Sequence, residues 1–115
     1  MHLTNDAVQK NSQDYGKFEN GNKLSYQDFD KLLLAERKVS FFNEIKPKIT
    51  QSVKDCFQAC GQQLYKTKED RTPYSGFELM GFDFMLDSDL RVQLIEVNTN
   101  PCLETPCLLL SRLIP

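Results

Sequence analysis

The feature that most constrains the fold of this chain is a pair of sequence runs in which apolar and polar residues alternate. The runs cover residues 77–87 and 91–98, and Ser88-Asp89 lies between them. A period of two is typical of β-strands, and a short polar break between two such runs is typical of a tight turn. The pattern therefore predicts an antiparallel hairpin.

The predicted hairpin sorts its side chains onto two faces, because successive residues of a strand point in opposite directions. With regular pairing about residues 88–90, an apolar face would hold Phe82, Phe84, Leu86, Ile95 and Val97. The opposite face would hold Asp83, Met85, Leu94, Glu96 and Asn98. Asp83 would then lie within about 5–8 Å of Glu96 and Asn98.

Two carboxylates and an amide oxygen on one face suggest a cation site. Unshielded carboxylates this close repel each other, and one of them holds a proton unless a cation lies between them. Hard oxygen ligands suit Mg²⁺ or Mn²⁺, and Mg²⁺ completes its shell with water and phosphate oxygens. The pattern is thus compatible with a surface that binds a metal–nucleotide complex for phosphoryl transfer. Spacing alone favours the plainer interpretation, a half-solvated sheet face, and leaves the site undecided.

Helical patterns accompany the hairpin. Ser25 with Asp28 resembles a capping arrangement that opens a helix at about Tyr26. A second helix is expected over residues 44–64, with Pro47 in its first turn, and a third over residues 107–114. Residues 2–24 and 66–72 have the composition of loops. Together these elements predict an α+β fold.

Composition narrows the classes of function. A length of 115 residues fits one small domain, and a net charge of −2 provides no field that would attract nucleic acid or an anionic membrane. No apolar run approaches the roughly 20 residues that span a bilayer. The spacings of Cys56 with Cys60 and of Cys102 with Cys107 differ from those of zinc sites, so we expect free thiols in a cytoplasmic protein.

Two longer stretches carry a family resemblance. The hairpin segment GFDFMLDSDLRVQLIEVNTNPCLE, preceded by YSGFELM, resembles the tubulin–tyrosine ligase family, which includes glutamylases and glycylases. The opening HLTNDAVQKNSQDYGKFENGNKLSYQDF is similar to the segment that precedes this hairpin in the family. The resemblance covers nearly the whole chain and implies an ATP-grasp fold. Residues 1–115 would be the C-terminal portion of that domain, truncated at both ends.

The resemblance also implies an activity: ATP-dependent ligation of tyrosine, glutamate or glycine to a carboxylate of the acidic tubulin tail, through an acyl phosphate. Asp83, Glu96 and Asn98 would hold the Mg²⁺ or Mn²⁺ ions that bridge the ATP phosphates, with Glu96 and Asn98 as catalytic residues. Leu94 and Ile95 would flank the base. The ribose, phosphates and transfer site would be lined by His2, Leu3, Thr4 and Asn5.

Two other interpretations stay open. The family takes its phosphate-binding lysines from sequence upstream of HLTN, so this chain alone is expected not to bind ATP productively. It could then be an inactive fragment or pseudoenzyme that binds only tubulin or another partner. An ATP-grasp ligase with an acceptor other than tubulin is the second alternative. In the tubulin-directed interpretation, the protein would act in the cytoplasm on microtubules, including those of cilia.

Overall fold

The structure is a computed structural model that describes residues 6–17, 20–64, 77–105 and 107–113. Its elements in chain order are helix α1 (Asp6–Gln9), a 3₁₀ turn (Asn20–Asn22), helix α2 (Tyr26–Arg37), a π-helical turn (Phe41–Ile45), helix α3 (Lys46–Leu64), strands β1 (Gly81–Leu86) and β2 (Val92–Asn98), and helix α4 (Leu108–Leu113). Helices and one two-stranded antiparallel sheet confirm the α+β class. No helix within the described residues is long and apolar enough to cross a membrane.

Helix α2 begins where its capping residues predict. The Ser25 hydroxyl accepts a hydrogen bond from the Asp28 backbone N–H at 3.1 Å and donates one to the Asp28 carboxylate at 2.7 Å. This cap satisfies an N–H that has no partner within the helix. The helix ends at Arg37, because Lys38 adopts a left-handed conformation with φ of 58°.

The second helix begins earlier than residue 44 and in an unexpected form. Its first turn, Phe41–Ile45, is π-helical, and the Lys46 backbone N–H donates to the Phe41 carbonyl five residues back. The wide turn accommodates Pro47, which has no N–H to donate and whose ring would crowd the Asn43 carbonyl in a regular α-helix. Helix α3 then runs regularly to Leu64, the end that we predicted.

One carboxylate joins α2 to the start of the second helix. The Asp30 Oδ1 atom accepts hydrogen bonds from the Ser40 hydroxyl at 3.0 Å and from the Phe41 backbone N–H at 2.6 Å. Ser40 itself caps the π-helical turn, accepting from the Asn43 N–H at 3.3 Å. Asp30 therefore fixes the angle at which the chain leaves α2 and enters α3.

The core lies where these helices meet the turn end of the hairpin. Leu33, Phe41 and Ile45 are buried there. The Phe41 ring stacks on Tyr26 at a centroid distance of 5.0 Å and meets Phe29 edge-on at 5.6 Å. Half-buried apolar side chains pack around this centre: Phe29, Val39, Ile49, Leu86, Leu90 and Val92. The turn end of the hairpin thus packs into the core, whereas its other end contacts α3 through the rings of Phe82 and Phe57.

The hairpin turn is closed by an aspartate. The Asp87 carboxylate accepts hydrogen bonds from the backbone N–H groups of Asp89 at 2.9 Å and Arg91 at 2.8 Å. Leu90, at φ of 59°, supplies the left-handed residue that such a turn requires. The Arg37 guanidinium donates to the Ser88 carbonyl and ties α2 to the turn. The turn lies where we predicted it, but β1 begins at Gly81 and not at residue 77.

The expectation of regular strand pairing is wrong. Next to the turn Leu86 pairs with Val92 and Phe84 with Leu94, but Asp83 pairs with Glu96. Ile95 is therefore the extra residue of a β-bulge, which shifts the register of everything beyond it by one. Leu94 shares a face with Phe84 and not with Glu96. Ile95 is 58% exposed and does not join the apolar face.

Candidate metal-binding site on the hairpin

The bulge at Ile95 is what brings the two carboxylates together. If the register next to the turn continued without an extra residue, Ile95 would face Asp83, and Glu96 would face Phe82. The two acidic side chains would then point to opposite faces of the sheet. With the bulge, Asp83 lies directly opposite Glu96, and opposed side chains in an antiparallel pair have Cβ atoms about 4.5–5.5 Å apart.

Asn98 completes the cluster on the same face. It lies two residues beyond Glu96 and donates a hydrogen bond from its Nδ2 atom to the Glu96 Oε1 atom at 3.2 Å. This bond leaves the Asn98 amide oxygen available as an acceptor. Asp83 and Glu96 are exposed and Asn98 is half-buried. The predicted trio is therefore brought together at the open end of the hairpin.

A glycine makes room for Asn98. Gly81 is the partner of Asn98 across the sheet, and a Cβ atom placed on it would lie 3.2 Å from the Pro101 Cβ atom and 3.8 Å from that of Asn98. The chain after β2 turns back here and passes close over the start of β1. Any side chain at position 81 would push this segment outward, so Gly81 helps to set the position of Asn98.

The two adjacent carboxyl groups of the site favour binding of a cation. Partial desolvation, a hydrogen bond to Glu96 and the negative charge of Glu96 together raise the pKa of Asp83. A divalent cation between the two carboxyl groups would offset this repulsion, and an all-oxygen donor set suits Mg²⁺ or Mn²⁺. Nowhere in the described ranges do three His, Cys, Asp or Glu side chains converge, so a metal ion bound here would have two carboxylates and one amide as its ligands from the hairpin.

Of the residues predicted to contact the nucleotide, some lie within the described part of the chain and some do not. His2, Leu3, Thr4 and Asn5 lie outside the described residues, and their roles stay predictions. Leu94 and Ile95 are described, but the bulge separates Leu94 from the acidic trio and leaves Ile95 exposed beside it. Their proposed contact with a base also stays a prediction.

Sequence reasoning missed an apolar groove next to the trio. The groove has a volume of 720 Å³ and follows the free edge of β1 from Met80 to Leu86, including Asp83. Helical residues form its other wall: Tyr26, Phe29, Phe41, Ile49 and Val53. The spacing of Tyr26 and Phe29 on α2 could have indicated a shared face, but nothing in the sequence placed that face beside β1. The groove could accept a flat apolar group whose charged end reaches Asp83.

The sequence of this chain is similar to those of known proteins. The model of the tubulin-tyrosine ligase family matches residues 1–115. Tubulin glycylase 3B of Tetrahymena thermophila is 33% identical over 105 residues, which make up 90% of this chain and 8% of that protein. The Homo sapiens protein named inactive polyglycylase TTLL10 is 31% identical over an alignment of 123 positions, which covers 99% of this chain and 17% of that protein. The Mus musculus protein named probable tubulin polyglutamylase TTLL9 is 31% identical over 103 residues, or 90% of this chain and 21% of that protein.

The chain is thus similar over nearly its full length to proteins that are much longer. It spans no more than 21% of the length of these three relatives. The segment they share with it includes the hairpin that carries Asp83, Glu96 and Asn98.

Proposed function

Because the chain belongs to the tubulin-tyrosine ligase family, we propose that it forms part of an ATP- and Mg²⁺-dependent ligase that joins an amino acid to a carboxylate of a tubulin tail. Relatives are named as a tubulin glycylase and a probable tubulin polyglutamylase, which supports tubulin as the acceptor. The observation that carries the proposal is the pairing of Asp83 with Glu96, with Asn98 hydrogen-bonded beside them.

The side chains of the hairpin fit a magnesium site. Mg²⁺ is bound in proteins by one or two carboxylates and takes its remaining oxygens from water and nucleotide phosphates. Asp83 and Glu96 would supply the carboxylates, and the Asn98 amide oxygen a neutral ligand. When bound, the ion neutralises charge on the ATP phosphates and on the group in transfer. The raised pKa of Asp83 supports this assignment, because a bound cation would offset its partial desolvation and the nearby negative charge of Glu96.

The proposed reaction has two steps. An oxygen of the tail carboxylate attacks the γ-phosphorus of ATP, ADP leaves, and an acyl phosphate forms. The amine of the incoming amino acid then attacks the acyl carbon, phosphate leaves with the bonding electrons, and the amine loses a proton as the amide forms. Glu96 and Asn98 would hold the metal ion, and the ion would supply the positive charge that neutralises and orients the phosphates during transfer.

The proposed activity on tubulin also implies co-substrates, a partner and a location in the cell. ATP and a free amino acid (tyrosine, glutamate or glycine) would be the co-substrates, and the acidic tail of tubulin the partner. The protein would act in the cytoplasm on microtubules, including those of cilia. Leu94 and Ile95 would lie near the base, and the segment from His2 to Asn5 near the ribose and phosphates.

An inactive protein is the second candidate function, and one observation favours it. The human relative that is 31% identical to this chain is named an inactive polyglycylase. Similarity of this degree therefore occurs with both active and inactive proteins. In that case the hairpin would serve only as a binding module for tubulin or another partner.

The test is ligation by the longest natural protein that contains this chain. Purified protein is incubated with ATP, Mg²⁺, tubulin and labelled tyrosine, glutamate or glycine in turn, and incorporation into tubulin is measured. We expect one of the three to be incorporated, and Glu96→Gln to reduce the rate at least about 100-fold. Glu36→Gln is the matched control, because Glu36 is an exposed carboxylate on α2, away from the site.

The outcomes separate the candidates. Full activity in Glu96→Gln would overturn the metal assignment. No incorporation of any of the three amino acids into tubulin, together with tubulin binding by sedimentation, would favour the inactive binding protein. Incorporation into another acceptor but not into tubulin would favour a ligase of different substrate class.

A further inference from the structure

A second groove lies on the face of the hairpin opposite the acidic trio. It has a volume of 380 Å³ and is formed between α3 and the ends of the strands. Its walls include Phe57, Phe82 and Val97, which form an apolar surface. Phe82 and Val97 are cross-strand partners, and the Phe57 and Phe82 rings lie 6.0 Å apart. None of the proposed metal ligands of the ligase site lines this groove.

Three sulfur atoms belong to residues that line the groove: Cys56, Cys60 and Met80. Cys56 and Cys60 are four residues apart on α3, a spacing that places two side chains on the same face with Cβ atoms about 5–6 Å apart. Both are free thiols. Met80 directly precedes β1 and, like Cys56, is half-buried. Because residues 77–80 have no regular structure, the Met80 side chain can adjust to a ligand held by the helix.

The donor set selects one class of metal. Thiolates and thioethers are soft ligands that favour Cu(I), whereas structural zinc sites use four cysteine or histidine ligands and rarely a thioether. Among the described residues that line this groove, none has a carboxylate or an imidazole, so they offer a hard cation no charged oxygen donor.

We propose that Cys56, Cys60 and Met80 form a three-coordinate Cu(I) site that joins α3 to the start of β1. The two cysteines bind as thiolates and release their protons to solvent when the ion enters, and Met80 adds a neutral thioether. The ion enters already as Cu(I), so the step needs no change in oxidation state. The proposal does not depend on the ligase activity, because the two sets have no ligand in common.

The test is competition for Cu(I) between the fully reduced chain and a chromophoric Cu(I) chelator, without oxygen. We expect the wild-type chain to withdraw one equivalent of Cu(I) from the chelator. Cys56→Ser and Cys60→Ser should each lower the affinity at least about 100-fold, the upper end of what outer-shell changes cost, and Met80→Leu about tenfold. Cys102→Ser is the matched control, because Cys102 is an exposed free thiol that does not line the groove.

A second measurement uses the wild-type chain and so does not depend on how the variants fold. Alkylation followed by mass spectrometry should show Cys56 and Cys60 protected by one equivalent of Cu(I), with Cys102 still reactive. X-ray absorption should show three sulfur neighbours around copper. Equal protection of Cys102, an equal loss of affinity in Cys102→Ser, or unchanged affinity in Met80→Leu would each overturn the site. Displacement of Cu(I) by stoichiometric Zn²⁺ would overturn the assignment of the metal.

Discussion

Asp83 and Glu96 face each other on neighbouring strands, and two like charges in this position destabilise a sheet by a fraction of a kilocalorie per mole. The cost is modest because both side chains are exposed and water screens them. Asp87, only four residues from Asp83, behaves in the opposite way. The Arg91 backbone N–H, with smaller contributions from the Asp89 N–H and other neighbours, lowers the pKa of Asp87. One carboxylate thus stabilises the turn, whereas the other lies opposite a second negative charge.

The substitution Asp83→Asn should therefore stabilise the metal-free chain while weakening its binding of Mn²⁺ or Mg²⁺. We expect a gain of about 0.2–1 kcal/mol in the free energy of unfolding at pH 7. The pKa of Asp83 is higher in the folded state than in the unfolded state, so the wild-type protein loses stability as pH rises from the unfolded pKa through the folded pKa. The stability gained by Asp83→Asn should therefore be largest above the folded pKa and shrink as pH falls below the unfolded pKa.

Urea unfolding of wild type and variant between pH 3 and 7 measures the gain, and paramagnetic resonance of added Mn²⁺ measures binding. Asp89→Asn is the control, because Asp89 is an exposed carboxylate in the turn. A variant that is less stable than wild type at pH 7, or that binds Mn²⁺ equally well, would contradict the prediction.

Helix ends and strand irregularities determine how the elements are arranged. The Asp30 carboxylate and the Ser40 hydroxyl hold the sharp change of direction between α2 and α3. Lys38 lies in that connection with a positive φ, a conformation that costs an L-residue other than asparagine or aspartate about 1–2 kcal/mol. The lysine side chain offsets this cost only by a hydrogen bond of 3.3 Å to the Ala35 carbonyl. The connection therefore stores removable strain.

Lys38→Gly should raise the free energy of unfolding by about 1 kcal/mol, because glycine adopts the left-handed conformation without a clash. Ala35→Gly is the matched control. It lies on the exposed side of α2, within the helix, and should lower the same free energy by about 1 kcal/mol. Urea denaturation followed by circular dichroism measures both changes. If both Lys38→Gly and Ala35→Gly lowered the free energy of unfolding, the conformation of residue 38 would not limit stability.

At the scale of the whole molecule, the described residues bury little. Only four of their apolar side chains are buried: Leu33, Phe41, Ile45 and Cys107. Phe77 is 99% exposed, and Leu108 is 65% exposed. A chain with so small a core is expected to be marginally stable by itself.

Ile45 is the most buried side chain of this core, with 1% of its surface exposed. Ile45→Ala should cost about 2–5 kcal/mol, enough to abolish cooperative unfolding in the isolated chain, whereas Ile45→Val should cost about 0.5–1.5 kcal/mol. Urea titration followed by far-ultraviolet circular dichroism tests both. A cooperative transition in Ile45→Ala with an unchanged midpoint would show that the core around Phe41 does not limit stability.

Features that depend on neighbouring residues in sequence could be predicted, and features that depend on packing could not. The Ser25 cap and the turn near Ser88 follow from local chemistry, and both are confirmed. The opposition of Asp83 and Glu96 was predicted too, but from a regular ladder that does not exist. Alternation of residue types cannot reveal an unpaired residue, because Ile95 is apolar like its neighbour Leu94. The groove along β1 depends on how α2 meets the strand, which no spacing encodes.

The β-bulge at Ile95 also determines whether the cluster of Asp83, Glu96 and Asn98 can be grafted onto another protein. A designed hairpin with the same turn and an uninterrupted ladder would present Asp83 on one surface and Glu96 on the other. Copying the three side chains and their spacing in sequence would then fail to bring them together. A successful graft must include residues 81–98 as one unit, because Ile95, which has no partner in the ladder, sets their arrangement.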